Sequence, residues 1–383
     1  MKRNYIAKRF QNAGSGLTLD TEALAKYKDI IDLSIGDTDF ITDEGIINAA
    51  FRDAKAGYTR YGDPKGDPEL IDAVCRAWQE DFEQKLPHDH VLVSASSCLG
   101  MALVMFSILD PGDEVIVFSP YFPMYRSQIE LAGGVCVDVP TYVSEDYAID
   151  EARLRAAITP RTKAIIFNNP TNPTGMAYGN DTLEMLARVA KEYDLLIAAD
   201  EIYTTYLYEG DFRPLRTLPG MAERVITLNS FSKNFLMTGW RVGVIIAEPE
   251  LLEVMNDING SLIYTAPSIS QRAAIHALSM RREIREKYVT AYRDRIFYTA
   301  DRIEKIPYLS LVRPKGTFYL FPGIEKTGLT DDEFCNVLLD KAHVLVSHGK
   351  AFGTAGAGHF RIACTVGIDT LKIAFDRMEK LSF

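Results

Sequence analysis

Cysteine is scarce in this chain. The five cysteines, Cys75, Cys98, Cys136, Cys335 and Cys364, are odd in number and scattered, with no metal-like spacing among them. That argues against a disulfide framework or a cysteine metal site and suits a reducing compartment. Long apolar runs are missing too: no window approaches the roughly 18 uninterrupted apolar residues of a membrane span. The opening Met1-Lys-Arg-Asn-Tyr-Ile-Ala-Lys-Arg is followed by no apolar signal core. The expectation is a cytoplasmic protein. Positive charge is in deficit, with 42 basic against 52 acidic residues and a net charge of −10. This disfavours a nucleic-acid groove or a polybasic membrane surface and points to small-molecule partners. No internal repeat, low-complexity tract or long Gly/Ser- or Pro-rich linker interrupts the chain. Neither G-x-G-x-x-G after a strand nor G-x-x-x-x-G-K-[ST] occurs, and Gly349-Lys350 is followed by Ala351. The commonest nucleotide-binding loops are therefore absent.

What the chain does contain is alternation. At 383 residues it is about twice the usual domain size, enough for a large α/β domain and a smaller α+β one. Apolar runs at Val91–Val93, Val115–Phe118, Val135–Val139, Lys163–Phe167 and Leu195–Ala199 read as strands. Between them, Leu99–Leu109, Tyr121–Ala132 and Thr182–Tyr193 read as helices, and Pro68 opens an earlier one. Strands alternating with helices mean βαβ units, a mostly parallel central sheet and helices on both faces. After about residue 290 shorter strands are expected at Tyr308–Val312, Phe318–Phe321, His343–Ser347 and Phe360–Ala363. A last helix follows, carrying Leu371, Ala374, Phe375, Met378 and Leu381 at helical spacing. The expected division is 1–45 as an arm and part of the small domain, 46–290 as the large domain and 291–383 as the small C-terminal domain.

Open parallel sheets bind ligands outside the carboxyl ends of their strands. This chain places five polar turns there: Ser94-Ala-Ser-Ser97-Cys98, Ser119-Pro-Tyr121-Phe122, Asn168 to Gly175, Asp200-Glu-Ile-Tyr203, and Ser230-Phe-Ser-Lys233. Asp200 ends a buried apolar run, so a charged carboxylate there calls for a cation facing it. Ser96, Ser97 and Cys98 precede a helix, whose free N–H groups can hold an anion, although serine capping explains the same residues. Asn172 sits in a stiff Asn-Pro-Thr loop, and Lys233 in a serine-rich turn with Arg241 eight residues on. Each of these alone is compatible with ordinary loop chemistry.

Taken together, Asn172-Pro-Thr-Gly175, Asp200-Glu-Ile-Tyr203, Ser230-Phe-Ser-Lys233 with Arg241-Val-Gly243, and Phe360-Arg361-Ile resemble the pyridoxal-phosphate (PLP) aminotransferases of fold type I, the aspartate aminotransferase-like class I/II family. The resemblance covers roughly residues 30 to 380. It implies that Lys233 is the lysine that binds pyridoxal 5′-phosphate as a Schiff base and then moves a proton between Cα and C4′. It implies that Asp200 pairs with the pyridine nitrogen, while Tyr203 and Asn172 hydrogen-bond the phenolic oxygen. Ser230, Arg241 and the backbone at Ser97 and Cys98 would hold the phosphate, and Phe122 would stack on the ring. Cys98 departs from members that carry a lysine there, which leaves only its backbone in that role. Arg361, beside the Gly36 backbone and Asn172, would clamp the substrate α-carboxylate. Tyr61 resembles the tyrosine that reaches the neighbouring subunit's phosphate, so a homodimer is expected.

Chemistry supports these roles. A lysine attacks an aldehyde only as the free amine, so its pKa must fall well below about 10.4, as a dry, cationic site makes it do. An arginine fork fits a carboxylate in two parallel bonds. The implied reaction is transfer of an amino group from an L-amino acid, aspartate, aromatic or similar, to a 2-oxo acid such as 2-oxoglutarate. The alternative is a carbon–sulfur β-lyase of the same fold, which the cofactor motifs do not separate from a transaminase. A ligand-sensing domain of a transcription regulator is disfavoured, since only about forty residues precede the first matched segment and no basic helix-turn-helix unit is among them.

Overall fold

Near-continuous apolar runs demand burial on both faces, and the chain meets that demand with one seven-stranded sheet. The structure, a computed structural model, describes residues 5–7 and 26–383. The rest of the expected arm, 1–4 and 8–25, lies outside the described residues. In chain order the strands are β1 (Ile31–Asp32), β2 (Val91–Ser94), β3 (Glu114–Ser119), β4 (Val135–Pro140), β5 (Thr162–Asn168), β6 (Leu196–Asp200), β7 (Val225–Ser230) and β8 (Gly243–Ile246). The sheet runs β2-β8-β7-β6-β5-β3-β4. Pairings from β4 through β3, β5 and β6 to β7 are parallel, and β8 is antiparallel to both β7 and β2. The mostly parallel α/β architecture is the expected one.

The reversal at β8 has a local cause. A parallel neighbour needs a crossover, usually through a helix that spans the sheet. Between β7 and β8 the chain makes only a one-turn helix, Phe231–Asn234, and a 3₁₀ turn, Thr238–Trp240, so it comes straight back. Ser230 therefore pairs with Gly243, and both ends of this connection stay at one edge of the sheet. At the centre lies the helix Ser97–Ile108, whose buried Gly100, Met101, Val104 and Met105 face the sheet and the helix Pro249–Leu262. It starts two residues before the expected Leu99 because Ser96 Oγ caps it, accepting from the Leu99 N–H at 3.2 Å.

Other boundaries shift for physical reasons. The helix expected from Tyr121 begins at Met124, since Pro123 keeps the preceding Phe122 out of the helical region. The expected strand Tyr308–Val312 reduces to one bridge, Ser310 to Gly323, in a stretch bounded by Pro307 and Pro314, which lack ladder N–H groups. The expected strand His343–Ser347 splits in two. β10 (Val344–Leu345) pairs in parallel with β1, while β11 (Ser347–His348) joins β12 (Phe360–Ala363), which also pairs with β9 (Tyr319–Leu320).

The N-terminal segment thus completes the C-terminal part. Ile31 and Leu33 bury with Ile296, Phe334, Val344, Phe360 and Phe375 in one cluster. The helix Arg281–Ile303 joins both cores: Ile284, Tyr288 and Tyr292 pack with the sheet's side, Ile296, Ala300 and Ile303 with this cluster. The expected boundary near residue 290 falls inside it. Among the described residues no helix is long and apolar enough to cross a membrane, and no His, Cys, Asp or Glu group is arranged to hold a metal ion.

Candidate active site

The carboxyl ends of β2, β3, β5, β6 and β7 carry the polar turns picked out in the sequence, and the return into β8 brings Arg241 to the same edge. Ser97, Cys98, Phe122, Asp200, Ser230, Lys233 and Arg241 line one cavity of about 190 Å³, together with Met101, Tyr125, Gln128, Ile202 and Thr238. A water occupies about 30 Å³ of liquid, so the space admits a small organic molecule. The packing of the helix start beside it depends on a glycine. A Cβ on Gly243 would sit 2.8 Å from the Ser97 nitrogen and 3.0 Å from the Asn229 oxygen, too close for any side chain. Ser96 holds φ at 96°, a left-handed value that costs a non-glycine residue energy. That strain sits where the helix start faces the cavity.

Lys233 lies on the one-turn helix capped by Ser230, whose Oγ accepts from the Ser232 N–H at 3.1 Å. The Lys233 carbonyl accepts from the Tyr206 hydroxyl at 2.9 Å, which pins the backbone. Its Nζ donates to the Gly36 carbonyl and lies 5.8 Å from the Phe318 ring centre. Arg241 adopts left-handed φ of 55° and donates to the Thr238 carbonyl at 2.7 Å. Ser97 Oγ donates to the Asn229 carbonyl at 2.8 Å, tying the helix start to β7.

Among the described residues Asp200 bonds no side-chain cation, and the resemblance leaves the facing charge to the cofactor's ring nitrogen. Among the described residues its Oδ2 accepts from the neutral Tyr125 hydroxyl, and its Oδ1 is buried without a partner. Burial raises its pKa to about 6, opposed by the Tyr125 hydroxyl and, more weakly, by the nearby Ile202 backbone. A carboxyl that can keep its proton can be buried without a protein countercharge. The adjacent Glu201 is raised further, to about 8, by burial, although the Leu215 N–H donates to it at 3.0 Å.

Asn172, Tyr203, Gly36 and Arg361 are not part of that cavity's lining; they form a second group joined to it through Lys233. Arg361 is 4 % exposed. It donates to Asn172 Oδ1 at 3.0 Å, to the Ser34 carbonyl and to Ser347 Oγ at 3.4 Å, while its Nε is buried without a partner. Its guanidinium carbon lies 4.5 Å from the Tyr319 ring centre and 4.9 Å from that of Phe352. Tyr203 donates to the Tyr319 hydroxyl at 3.2 Å, and burial drives its pKa well above the ordinary tyrosine value. Gly36 is obligatory beside Tyr319, since a Cβ there would fall 1.7 Å from the Tyr319 oxygen. Tyr61 is not brought in: it is 83 % exposed, resting edge-on against Tyr264 at 5.2 Å.

Three residues that sequence reasoning missed take part. Tyr125 holds Asp200, Gln128 donates to the Cys98 carbonyl at 2.7 Å, and Tyr319 links Gly36, Tyr203 and Arg361. For Tyr125 and Gln128 the available signal was their three-residue spacing on the helix that follows Phe122. Tyr319 gave none beyond an apolar run.

The sequence matches the aminotransferase class I and II family over residues 28–378. It is 36% identical to the aspartate aminotransferase of Pyrococcus abyssi, with 93% of this chain and 92% of that protein covered. It is 33% identical to the putative aminotransferase YugH of Bacillus subtilis, over 96% of this chain and 95% of the relative. The fold superposes on a single mutant of the Thermus thermophilus aspartate aminotransferase with a TM-score of 0.94 and 33% identity, covering 99% of this chain and 100% of that one. For the aromatic aminotransferase of Pyrococcus horikoshii the TM-score is 0.90 at 33% identity, with 94% and 97% covered. With the lysine, aspartate, asparagine and arginine at the converging strand ends and the family match spanning nearly the whole sequence, the chain belongs to the class I and II aminotransferases and is an amino-acid transaminase.

Proposed function

We propose that this aminotransferase works with pyridoxal 5′-phosphate bound in the cavity before Lys233. It moves the amino group of an L-amino acid, aspartate, aromatic or similar, to a 2-oxo acid such as 2-oxoglutarate. The observation that carries this reading is Asp200 Oδ1, a buried, unpartnered acceptor on the wall of the cavity that Lys233 also lines. A protonated ring nitrogen would supply the partner that this oxygen lacks. The donor set fits the rest of the cofactor as well. Ser230, Arg241 and the backbone N–H groups of Ser97 and Cys98, at the start of a 12-residue helix, suit a phosphate. Phe122 on the cavity wall would cover the ring, and Asn172 and Tyr203, in the neighbouring group, would serve its phenolic oxygen.

When bound, the cofactor supplies the electron sink for breaking the Cα–H bond of the amino acid. The chain supplies the rest. Asp200 as carboxylate favours positive charge on the facing nitrogen. Lys233 Nζ, once free of its proton, takes the proton from the substrate Cα and later returns one. The Gly36 carbonyl, which accepts from Nζ in this structure, keeps that amine on the substrate side. Arg361, with Nε unpartnered, offers a buried fork to the α-carboxylate. Residues 46–290 are read as the large cofactor-binding domain, and 291–383 with the arm 1–45 as the small one. The protein is further read as a cytoplasmic homodimer with Tyr61 reaching the neighbouring subunit's site; its 83 % exposure here supports that role.

A panel of amino donors with 2-oxoglutarate tests the reading, followed through the cofactor's visible band and glutamate formation. Borohydride should trap the cofactor on Lys233. Pyruvate and ammonia released from cysteine without any acceptor, and no glutamate with any donor, would identify a β-lyase instead.

A further inference from the structure

The helix Met124–Leu131 has no role in the scheme above, yet one of its faces meets the cavity at two points. Tyr125 is 2 % exposed, its ring lies edge-on to Phe122 at 5.6 Å, and its hydroxyl donates to Asp200 Oδ2. Gln128, on the same face, donates to the Cys98 carbonyl at 2.7 Å, where the helix Ser97–Ile108 begins. Arg126 anchors the helix by pairing with Asp138 at 2.7 Å and donating to the Tyr121 hydroxyl at 3.0 Å. Tyr125 is thus held against Asp200 from both sides of its helix.

A carboxylate can turn about its terminal torsion and present either oxygen. With Oδ2 engaged, Oδ1 is the one left unpartnered at the cavity. We infer that Tyr125 is a positioning residue of this enzyme: its hydroxyl fixes Asp200 so that Oδ1 faces the cofactor's ring nitrogen. This rests on the proposed cofactor reading. The same bond tunes charge, because a neutral donor stabilises the ionised carboxylate over the acid. Tyr125 remains a donor at all physiological pH, since burial and the Asp200 charge drive its own pKa well above the ordinary value. Cys98, Lys233 and Arg241 share the cavity with Asp200, and Tyr203 and Glu201 feel its charge. None of them donates to Oδ2.

The test compares Tyr125→Phe, Asp200→Asn and the double variant in the full-length chain. Phenylalanine keeps the ring, and the melting temperature checks that the fold survives. With cofactor bound, Tyr125→Phe should lower kcat on the order of tenfold with donor KM little changed. The same substitution made in Asp200→Asn should cost nothing more, because it acts through that carboxyl. A second readout needs no turnover. The Asp200 infrared carboxyl band, assigned by its loss in Asp200→Asn, should titrate at higher pH in Tyr125→Phe than in the wild-type cofactor-free chain. An unshifted titration, or the same loss of kcat in both backgrounds, overturns the inference. A crippled Asp200→Asn beside a fully active Tyr125→Phe overturns it alone. Full activity in Asp200→Asn overturns the cofactor role of Asp200 and the inference with it.

Discussion

Replacing Arg361 by lysine keeps a cation and removes a fork. In the structure the guanidinium already serves Asn172 Oδ1, the Ser34 carbonyl and Ser347 Oγ, and is flanked by the Tyr319 and Phe352 rings. An ammonium has its donors on one atom, so it cannot hold those partners and also offer two parallel bonds to a substrate carboxylate. Losing one charge-assisted hydrogen bond costs roughly 1.5–3 kcal/mol, so kcat/KM for the amino donor should fall roughly 10- to 150-fold. The loss should also depend on pH. Burial lowers the proton affinity of Arg361, but arginine starts high enough to stay charged. A lysine at this depth starts near 10.4 and is pushed down by up to several units. Its useful, charged form then grows as pH falls. The ratio of variant to wild-type kcat/KM should therefore climb between about pH 9 and about pH 6, groups common to both enzymes cancelling in the ratio. Single-turnover reaction with an amino donor across that range measures it. A variant within about threefold of wild type near pH 8, or a ratio that rises with pH, would refute the assignment of Arg361 to the substrate carboxylate.

Asp200→Asn should make the cofactor-free protein more stable at neutral pH. The Asp200 pKa is raised from 3.8 to about 6 by burial, so its contribution is intact below the lower value and lost as pH rises through the upper one. The loss amounts to roughly 3 kcal/mol, and denaturant melts near pH 5 and near pH 8 should show the variant's advantage growing with pH. A variant less stable at both contradicts the burial argument. Gly36→Ala places a Cβ 1.7 Å from the Tyr319 oxygen and 2.7 Å from its ring carbon. Overpacking of this kind costs about 1–3 kcal/mol, so both melting temperature and activity should drop. Adding Tyr319→Phe should restore part of the loss, and an alanine variant equal to wild type would end the steric account. Tyr61→Ala should change the stability of the chain by no more than about 0.5 kcal/mol, as its exposure dictates, while the proposed homodimer would have it weaken cofactor affinity about tenfold. Unchanged affinity in a fluorescence titration removes Tyr61 from the site.

Much of the fold was legible because its signals are local. Buried strands read as apolar runs, helices as 3.6-residue periodicity, and turns as Pro, Gly, Asn and Ser between them. The polar turns after β2, β3, β5, β6 and β7 were recognisable as ligand-end loops for the same reason. Less legible was anything set by two distant segments meeting. The His343–Ser347 run reads as one strand, and only its separate partners, Ile31–Asp32 and Phe360–Ala363, divide it. The partner of Asp200 was expected to be a cation because burial of a lone charge is costly. The fold adds what no local signal announced, a tyrosine hydroxyl on the other oxygen, from a helix 75 residues earlier, and a raised pKa.

The sequence by itself determined the alternating α/β architecture, the lysine with its arginine eight residues on, and the polar turns that carry the family's chemistry, since each depends on residues close together in the chain. Tertiary structure decided which groups face one another. The short return into β8 set Arg241 beside Lys233, the Tyr319 hydroxyl made Gly36 obligatory, and Tyr125 settled which oxygen of Asp200 is free. Spacing along a chain cannot specify such contacts, because they depend on strand order and on side-chain rotamers that exist only once the elements have packed.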